Sequence, residues 1–247
     1  METRADWHED DHFWEMAEPL MFDDLRLQSA LPETEQVIGL TRVEPGAAVL
    51  DLFCGPGRHS IEFARKGYRV AGVDRTQRYL DRARKSAGSL DIEWIRADAR
   101  QFARPGAFDL AINLYTSFGY FESPDDDLLV ASNVAKSLRP GGAFVVQMIG
   151  KEVVAKGFTE RIWGEHGEIT LLQEHKLHHN FTAIENRWTL LTPEGKREIG
   201  FIVRLYAATE MESLLRTAGF SDIRFFGSLD GLPYDHNSRR MTVLART

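Results

Sequence analysis

The sequence predicts an α/β protein with a doubly wound, mostly parallel sheet, and three features support that prediction. Residues 49–74 read as one βαβ unit, in which two short apolar strands are joined by a glycine turn and a helix. Strand-like and helical stretches continue to alternate up to residue 149. Residues 150–206 depart from this order, because their apolar residues alternate as in antiparallel strands. We therefore expect a helix-covered parallel sheet with an inserted antiparallel sheet.

The composition predicts a single cytoplasmic domain. The 247 residues, 43% of them hydrophobic, are enough for one large α/β core. The formal net charge is −7, whereas nucleic-acid binding needs Lys and Arg to neutralise phosphates. No apolar run predicts a membrane span, and the acidic N-terminus lacks the apolar region of a signal peptide. Cys54 is the single cysteine, so no internal disulfide can form. We expect neither a nucleic-acid nor a membrane partner.

The loop Gly55-Pro56-Gly57, between the first strand and the helix, predicts a ligand site. Glycine has no Cβ and tolerates positive φ, so a ligand can approach the backbone closely. Asp74 ends the second strand, where a carboxylate can accept hydrogen bonds from two ribose hydroxyls. Asp51 ends the first strand, where it would repel a pyrophosphate and suit a cation such as an α-ammonium group. A dinucleotide site and a ligand-free turn are the alternatives; Asp51 and the missing third glycine argue against the dinucleotide.

The segment Asp51-Leu-Phe-Cys-Gly55-Pro-Gly57 resembles motif I of class I S-adenosylmethionine-dependent methyltransferases, with Asp74 at the acidic position of motif II. The likeness covers residues 35–150 well. It implies a Rossmann-like methyltransferase fold of seven strands and S-adenosyl-L-methionine as the cofactor. By this resemblance, Asp51, Gly55 and Gly57 hold the methionine end and Asp74 holds the ribose.

The same resemblance assigns the adenine to Asp98 and Ala99, which follow the third strand. The Asp98 carboxylate would accept a hydrogen bond from the adenine amino group, and the next backbone N–H would meet the ring. An acid that only caps the next turn is the alternative. The expected cofactor-binding set is completed by Phe53, Arg75 and Asn113.

The resemblance divides the chain into four parts within one domain. Residues 1–34 are rich in aromatic and acidic side chains, with Phe13, Met16 and Leu20 at helical spacing. They form either a helical layer packed on the domain or a lid, as in many similar small-molecule methyltransferases. Residues 35–149 are the cofactor-binding core, residues 150–206 the insert, and residues 207–247 the C-terminal part of the core.

The insert is expected to contain three strands, at residues 169–177, 183–191 and 198–206. The sheet would cover the mouth of the active site or form a homodimer surface. Its placement, together with Phe118-Gly119-Tyr120, loosely resembles aminosugar N-methyltransferases of macrolide pathways. The histidines of the insert do not converge on one point along a strand, so no metal site is predicted.

The methyl acceptor is expected beyond the carboxyl end of the fourth strand, near Asn113 to Tyr120. Tyr115 and Tyr120 can orient a polar substrate through their hydroxyls, and Trp14 and Tyr234 are further substrate-binding candidates. Tyr234 belongs to residues 230–240, which form either a functional loop or a solvated hairpin loop. The candidate general bases are Tyr115, His166 and His236, in no order that the sequence fixes.

These features predict a methyltransferase that acts on an amine or hydroxyl of a small molecule by in-line displacement. Residues 113–116 lack the two prolines of enzymes that methylate DNA adenine. Cys54 lies within the cofactor loop rather than in the Pro-Cys nucleophile of cytosine-C5 enzymes. Two other hypotheses stay open at this point: a dinucleotide-dependent oxidoreductase on the same βαβ unit, and a non-catalytic adaptor that binds the cofactor.

Overall fold

The computed structural model describes residues 6–115 and 117–247, without the side chain of His179. Its helices are α1 (Asp11–Met21), α2 (Asp24–Gln28), α3 (Ala30–Thr41), α4 (Arg58–Arg65), α5 (Gln77–Ala87), α6 (Pro124–Ser137), α7 (Lys151–Gly157) and α8 (Ala208–Thr217). Its strands are β1 (Ala48–Leu52), β2 (Arg69–Asp74), β3 (Ile92–Arg96), β4 (Phe108–Asn113), β5 (Leu138–Met148), β6 (Arg161–His166), β7 (Ile169–Leu177), β8 (Ala183–Thr192), β9 (Gly195–Arg204), β10 (Asp222–Phe226) and β11 (Met241–Arg246).

Seven strands of the described chain form one core sheet, in the order β10-β11-β5-β4-β1-β2-β3. Strands β1 to β5 pair in parallel, and β11 runs antiparallel between β5 and β10. The direction of winding reverses between β1 and β4, which is where open sheets of this kind bind ligands. The predicted doubly wound, mostly parallel sheet of seven strands is confirmed.

Helices cover both faces of the core sheet, because the side chains of β1 alternate between two hydrophobic clusters. Leu50 and Leu52 pack in one cluster with Val134 of α6 and Met211 of α8. Val49 points to the opposite face, in a cluster that includes Val37 of α3 and Phe63 of α4. Strands buried on both faces read as continuous apolar runs, which is why the core strands were predictable.

The insert forms a separate antiparallel sheet in the order β6-β7-β8-β9. This confirms the predicted antiparallel insert, but the sequence analysis expected three strands and overlooked β6. Most of β6 is exposed, and it lacks the regular apolar alternation that marks a half-buried strand. The inner face of the sheet packs Leu171, Leu190 and Ile199 against the N-terminal residues Trp7 and Phe13.

The N-terminal helix α1 lies against both the core and the inserted sheet. Glu15 pairs with Arg78 of α5 at 2.7 Å, and Glu18 pairs with Arg82 at 2.5 Å. Trp7 Nε1 donates to the carbonyl oxygen of Ile202 in β9 at 2.8 Å. These contacts fix the segment on α5 and on the inserted sheet, and whether it acts as a lid stays a prediction. Within the described residues, no helix has the length and apolar character needed to cross a membrane.

Candidate functional site

The glycine loop after β1 turns sharply because three of its residues have a left-handed backbone. The φ angles are 59° at Phe53, 53° at Gly55 and 77° at Gly57. Gly55 N donates to Asp74 Oδ2 at 2.8 Å, which ties the loop to the end of β2. A Cβ at Gly55 would lie 3.1 Å from the ring of Phe22, so the N-terminal segment closely covers this backbone.

Gly57 meets a different requirement. A Cβ there would lie 2.3 Å from the ring of Trp94 in β3 and 3.0 Å from Ala83 in α5. Gly57 thus allows α4 to pack closely on its neighbours, and it does not line the ligand pockets described below.

Asp51 is buried at the carboxyl end of β1, with 3% of its surface exposed. Its Oδ2 accepts hydrogen bonds from the Ser60 hydroxyl at 2.5 Å and from Ser60 N at 3.1 Å. Burial raises the pKa of Asp51 to about 6, although the hydrogen bonds from Ser60 oppose this rise. A nearby cation would favour the ionised form, so the environment of Asp51 fits the predicted α-ammonium partner.

Asp74 closes β2 beside the same loop. Its Oδ2 accepts from Gly55 N, and its Oδ1 accepts from Thr76 N at 2.8 Å. Burial raises the pKa of Asp74, against the effect of these two backbone donors. Each oxygen keeps a further lone pair that can accept a ribose hydroxyl. Arg75, the next residue, donates to the carbonyl oxygen of His8 at 3.0 Å and so helps to fix the N-terminal segment.

Asp98 is already engaged by a neighbouring cation. Arg100 Nη2 donates to Asp98 Oδ2 at 2.6 Å, and Arg100 Nε and backbone N also donate to this carboxylate. Burial would raise the pKa of Asp98, but the hydrogen bonds from Arg100 lower it. Asp98, Ala99, Phe53 and Arg75 all line one small pocket. An adenine in this pocket would compete with Arg100 for Asp98.

The glycine-loop pocket lies beside the carboxyl ends of β1 and β2. Eight residues predicted from sequence line it: Trp14, Asp51, Phe53, Gly55, Asp74, Arg75, Tyr115 and Tyr120. Asp51 and Gly55, which are predicted to hold the methionine end, therefore line the same pocket as Asp74, which is predicted to hold the ribose.

The inserted-sheet pocket, with a cavity volume of about 350 Å³, lies between the core and the inserted sheet. Its walls include Trp188 and Phe201 from the insert and Phe13 from α1. Four residues line both pockets: Met21, Arg26, Tyr115 and Tyr120. The two cavities thus share a wall, and Tyr115 and Tyr120 lie in it as expected of residues that face both cofactor and acceptor.

Tyr115 is the centre of a polar cluster that the sequence analysis missed. Its φ is 67°, and its hydroxyl donates to Glu33 Oε1 at 2.7 Å. Glu33 Oε2 also accepts from Arg58 at 2.5 Å and contacts His59 Nε2 at 2.8 Å. Burial would raise the pKa of Glu33, but the hydrogen bond from His59 and the charge of Arg58 lower it to about 2. Glu33 is therefore ionised, and His59 Nε2 must carry the donated hydrogen.

The sequence held only a weak signal for this cluster. Arg58 and His59 directly follow the glycine turn, and both are buried although they are polar. Their position at the start of α4, next to a predicted ligand loop, was the available clue. Glu33 reads as an ordinary first-turn acid of a helix, because its partners are distant in sequence.

Seven predicted site residues lie outside the two pockets: Gly57, Asp98, Ala99, Asn113, His166, Tyr234 and His236. Gly57 packs against Trp94 and Ala83, and Asp98 and Ala99 line the small pocket described above. His166 is exposed on β6, and His236 is exposed in the loop before β11. The hydroxyl of Tyr234 donates to Glu152 at 2.9 Å, on the side of α7. Asn113 is fully buried at the end of β4, and its amide atoms have no hydrogen-bond partner among the described residues. No group of three or more His, Cys, Asp or Glu in the described chain could hold a metal ion.

The fold and the glycine-loop pocket together define the class: an α/β protein with a ligand pocket at the carboxyl ends of its parallel strands. Residues 49–142 match the family described as "Methyltransferase domain". The chain is similar to the putative methyltransferase YqeM of Bacillus subtilis, with 26% identity over 60% of each protein. It is also similar to a dTDP-4-amino-2,3,4,6-tetradeoxy-D-glucose N,N-dimethyltransferase of Saccharopolyspora spinosa, with 27% identity over 76% of this chain and 77% of that protein.

Solved structures show the same architecture. A methyltransferase from Clostridium acetobutylicum, described as S-adenosylmethionine-dependent, superimposes with a TM-score of 0.79 and 16% identity over 96% of this chain and 98% of its own. DesVI of Streptomyces venezuelae gives 0.67 and 21% identity over the same shares. Residues 49–142 therefore carry a methyltransferase domain, in line with the resemblance to S-adenosylmethionine-dependent methyltransferases. This outcome favours the methyltransferase prediction over a dinucleotide-dependent oxidoreductase.

Proposed function

We propose that this protein transfers a methyl group from S-adenosyl-L-methionine to an amine or hydroxyl of a small molecule. The observation that carries the proposal is the wall shared by the two pockets, where Tyr115 and Tyr120 face both. When bound, the cofactor supplies a methyl group that its sulfonium has already activated. The protein then needs to hold the acceptor atom about 3–3.5 Å from that methyl group, in line with the leaving sulfur.

The residues of the glycine-loop pocket fit the cofactor. Both hydrogen bonds from Ser60 go to Asp51 Oδ2, and the described residues give Oδ1 no such partner, so it is available to an α-ammonium group. The lone pairs left on Asp74 would accept the ribose hydroxyls. Arg26 and Arg58 line the same pocket and can receive the methionine carboxylate.

Water exclusion would come from the N-terminal segment. Trp14 and Phe22 both line the glycine-loop pocket, and Phe22 lies against the loop at Gly55. Covering the site strengthens electrostatic interactions within it and keeps water from the reacting atoms. The aromatic faces would also attract a positively charged sulfur.

Tyr115 is the best placed of the three predicted bases, because it alone lines the pockets. An acceptor that arrives as an ammonium group or a hydroxyl must lose a proton. The Tyr115 hydroxyl, which donates to the ionised Glu33, could take part in that transfer. His166 and His236 would need a large rearrangement to reach the shared wall.

An amine is the first acceptor class to test. Two relatives carry N,N-dimethyltransferase in their names, and a solved neighbour is described as a sugar N-methyltransferase. The inserted-sheet pocket has the size and the aromatic walls of a small-molecule site.

The test is a labelled-methyl transfer assay with paired amine and alcohol acceptors of equal size, together with calorimetric titration of the cofactor. We expect cofactor binding, and label in the amine product more readily than in the alcohol. Absence of cofactor binding would overturn the proposal. Cofactor binding without transfer to any acceptor, including small molecules that co-purify, would favour the adaptor hypothesis.

A further inference from the structure

Three guanidinium groups surround the ring of Tyr115. The guanidinium carbons of Arg58, Arg240 and Arg26 lie 4.2, 4.5 and 5.2 Å from its centroid. They come from three distant parts of the chain: α4, the loop before β11, and α2. Like charges gathered around one ring repel each other unless an anion compensates them.

One carboxylate serves this cluster, and it belongs to Arg58. Glu33 Oε2 lies 2.5 Å from Arg58 Nη1. Within the described chain, the guanidinium groups of Arg26 and Arg240 make no hydrogen bond and no ion pair. Burial lowers the pKa of Arg240, and the charges of Arg26 and Arg58 lower it further, whereas Tyr115 and the charge of Glu33 oppose this. Two positive charges are thus partly desolvated without a carboxylate in direct contact with them, which costs free energy.

These charges face the acceptor side of the site. Arg26, Arg204 and Arg240 line the inserted-sheet pocket, and no Asp or Glu of the described residues does. Arg204 has a counterion of its own, because its Nε lies 4.0 Å from Asp127 Oδ2. The rest of the lining is mainly apolar and aromatic.

The cofactor would not satisfy both free arginines. Its carboxylate could pair with Arg26, which lines the glycine-loop pocket as well. Arg240 lines the inserted-sheet pocket alone. A counterion for Arg240 must therefore come from a molecule in the inserted-sheet pocket.

We infer that the methyl acceptor carries an anionic oxygen group, a carboxylate or a phosphate, and that Arg240, with Arg26 beside it, binds that group in the inserted-sheet pocket. That the bound molecule is the methyl acceptor rests on the proposed function, whereas the anion site itself rests on the positions of the arginines. Guanidinium forms paired hydrogen bonds with either group. Such a contact would fix the acceptor against Tyr115, and a neutral analogue would leave Arg240 without a counterion.

The test is calorimetric titration with benzoate, phenyl phosphate and neutral benzyl alcohol at constant ionic strength, with and without S-adenosylhomocysteine. By the proposed function, S-adenosylhomocysteine occupies the glycine-loop pocket. An anion that still binds in its presence therefore binds in the inserted-sheet pocket. We expect at least one anion to bind ten times more tightly than the alcohol. The better of the two anions identifies a carboxylate or a phosphate as the preferred group.

Substitutions at Arg240 test whether this residue causes the preference for an anion. Arg240→Met should abolish the preference for the anion, and Arg240→Lys should retain part of it because the charge remains. Arg239→Met is the matched control, because Arg239 is the exposed neighbour outside both pockets, and it should behave as wild type. A wild-type protein that binds anion and alcohol equally, or an Arg240→Met variant that keeps the preference, would overturn the inference.

The two proposals fail separately. Cofactor binding without an anion preference would contradict the anion site and leave the proposed methyl transfer standing. An anion preference without cofactor binding would do the opposite. Because Arg240→Lys is conservative, its binding result holds even if Arg240→Met unfolds.

Discussion

At the scale of single residues, the site depends on two buried carboxylates whose pKa values are raised by burial. Asp51 and Asp74 sit at adjacent strand tips, and burial raises the pKa of each. A buried carboxylate with a raised pKa gains more from a cationic or hydroxyl-bearing ligand than an exposed one. Cofactor affinity should therefore report directly on both groups.

The first prediction concerns Asp74. Asp74→Ala removes the acceptor for the ribose and also the partner of Gly55 N. We expect cofactor affinity to fall at least tenfold, as measured by calorimetry. Asp81→Ala, an exposed acid on α5, is the control and should change affinity less than twofold. An unchanged affinity in Asp74→Ala would contradict the ribose assignment.

The second prediction is a pH dependence. Only ionised Asp51 attracts the ammonium group, and its pKa in the free protein is about 6. Cofactor affinity should fall roughly tenfold between pH 7 and pH 5, where about one tenth of Asp51 stays ionised. Asp51→Asn should bind weakly and lose this dependence. A wild-type affinity that does not change with pH would argue against Asp51 as the partner.

The raised pKa of Asp51 also affects stability, but in the opposite direction: stability falls as the pH rises, whereas cofactor affinity increases. The folded-state pKa of Asp51 lies above its ordinary value, so the folded protein holds this proton longer than the unfolded chain. The contribution of Asp51 to the free energy of unfolding is therefore complete below about pH 4 and decreases as the pH rises through about 6. Chemical denaturation of Asp51→Asn across this window should show a smaller loss.

The third prediction concerns Tyr115. Tyr115→Phe keeps the ring that the arginines contact and removes the hydroxyl bonded to Glu33. We expect kcat to fall about 10²-fold, in the lower part of the range for general acid–base groups, with cofactor affinity within about twofold. His166→Ala and His236→Ala should keep nearly full activity, because both side chains are exposed away from the pockets. A large loss in either histidine variant would reverse this assignment.

Sequence reasoning found the residues whose partners are close along the chain. Asp51, Gly55 and Asp74 belong to one βαβ unit, so local order predicted their meeting. Glu33 and Arg240 depend on contacts between distant elements, and each looks like an ordinary surface charge in the sequence. Their roles appear only once the chain is folded.

At the scale of elements, the start of α4 is fixed by a steric requirement. Gly57 combines a φ of 77° with a neighbouring tryptophan ring where its Cβ would be. The turn that prepares the ligand loop and the packing of α4 on β3 thus depend on one residue without a side chain.

The fourth prediction tests this requirement. Gly57→Ala should lower the free energy of unfolding by about 1–2 kcal/mol for the left-handed backbone and by about 1–3 kcal/mol more for overpacking. Gly67→Ala is the matched control: its φ is 84°, and its Cβ would meet nothing within 4 Å. It should show the backbone cost alone. Equal losses in the two variants would mean that contact with Trp94 is relieved at no cost.

Helix and strand boundaries were harder to predict than the elements themselves. Thr209, with Glu212 three residues later, has the pattern of a capping box. In the structure Ala207 is the N-cap of α8 instead, and Glu210 accepts from Ala207 N at 2.9 Å. Several acids near a helix start can each satisfy the same free N–H groups, so local sequence does not select among them.

At the scale of the whole molecule, the edge strand β6 of the inserted sheet carries exposed apolar side chains. Ile162 is 45% exposed and Trp163 is 69% exposed, both on β6 at the edge of that sheet. An edge strand presents unpaired backbone groups, and apolar side chains beside it favour association. The homodimer expected from sequence stays a prediction.

The fifth prediction follows from that surface. The protein should sediment as a dimer at micromolar concentration, and Trp163→Glu should shift it towards the monomer. Leu25→Glu is the control, because Leu25 is comparably exposed on α2, far from the inserted sheet in sequence. A monomeric wild-type protein would rule out this association.

Apart from their shared wall, the two pockets draw on different parts of the chain: the core and the N-terminal segment line the glycine-loop pocket, and the insert contributes only to the inserted-sheet pocket. Substitutions in the insert could therefore change the methyl acceptor while the cofactor-binding residues stay the same. A chimera that receives residues 158–206 from a relative should exchange acceptor preference and keep its original affinity for the donor. The same scaffold could then serve different acceptors through changes in the insert, with Tyr115 and Arg240 kept in place.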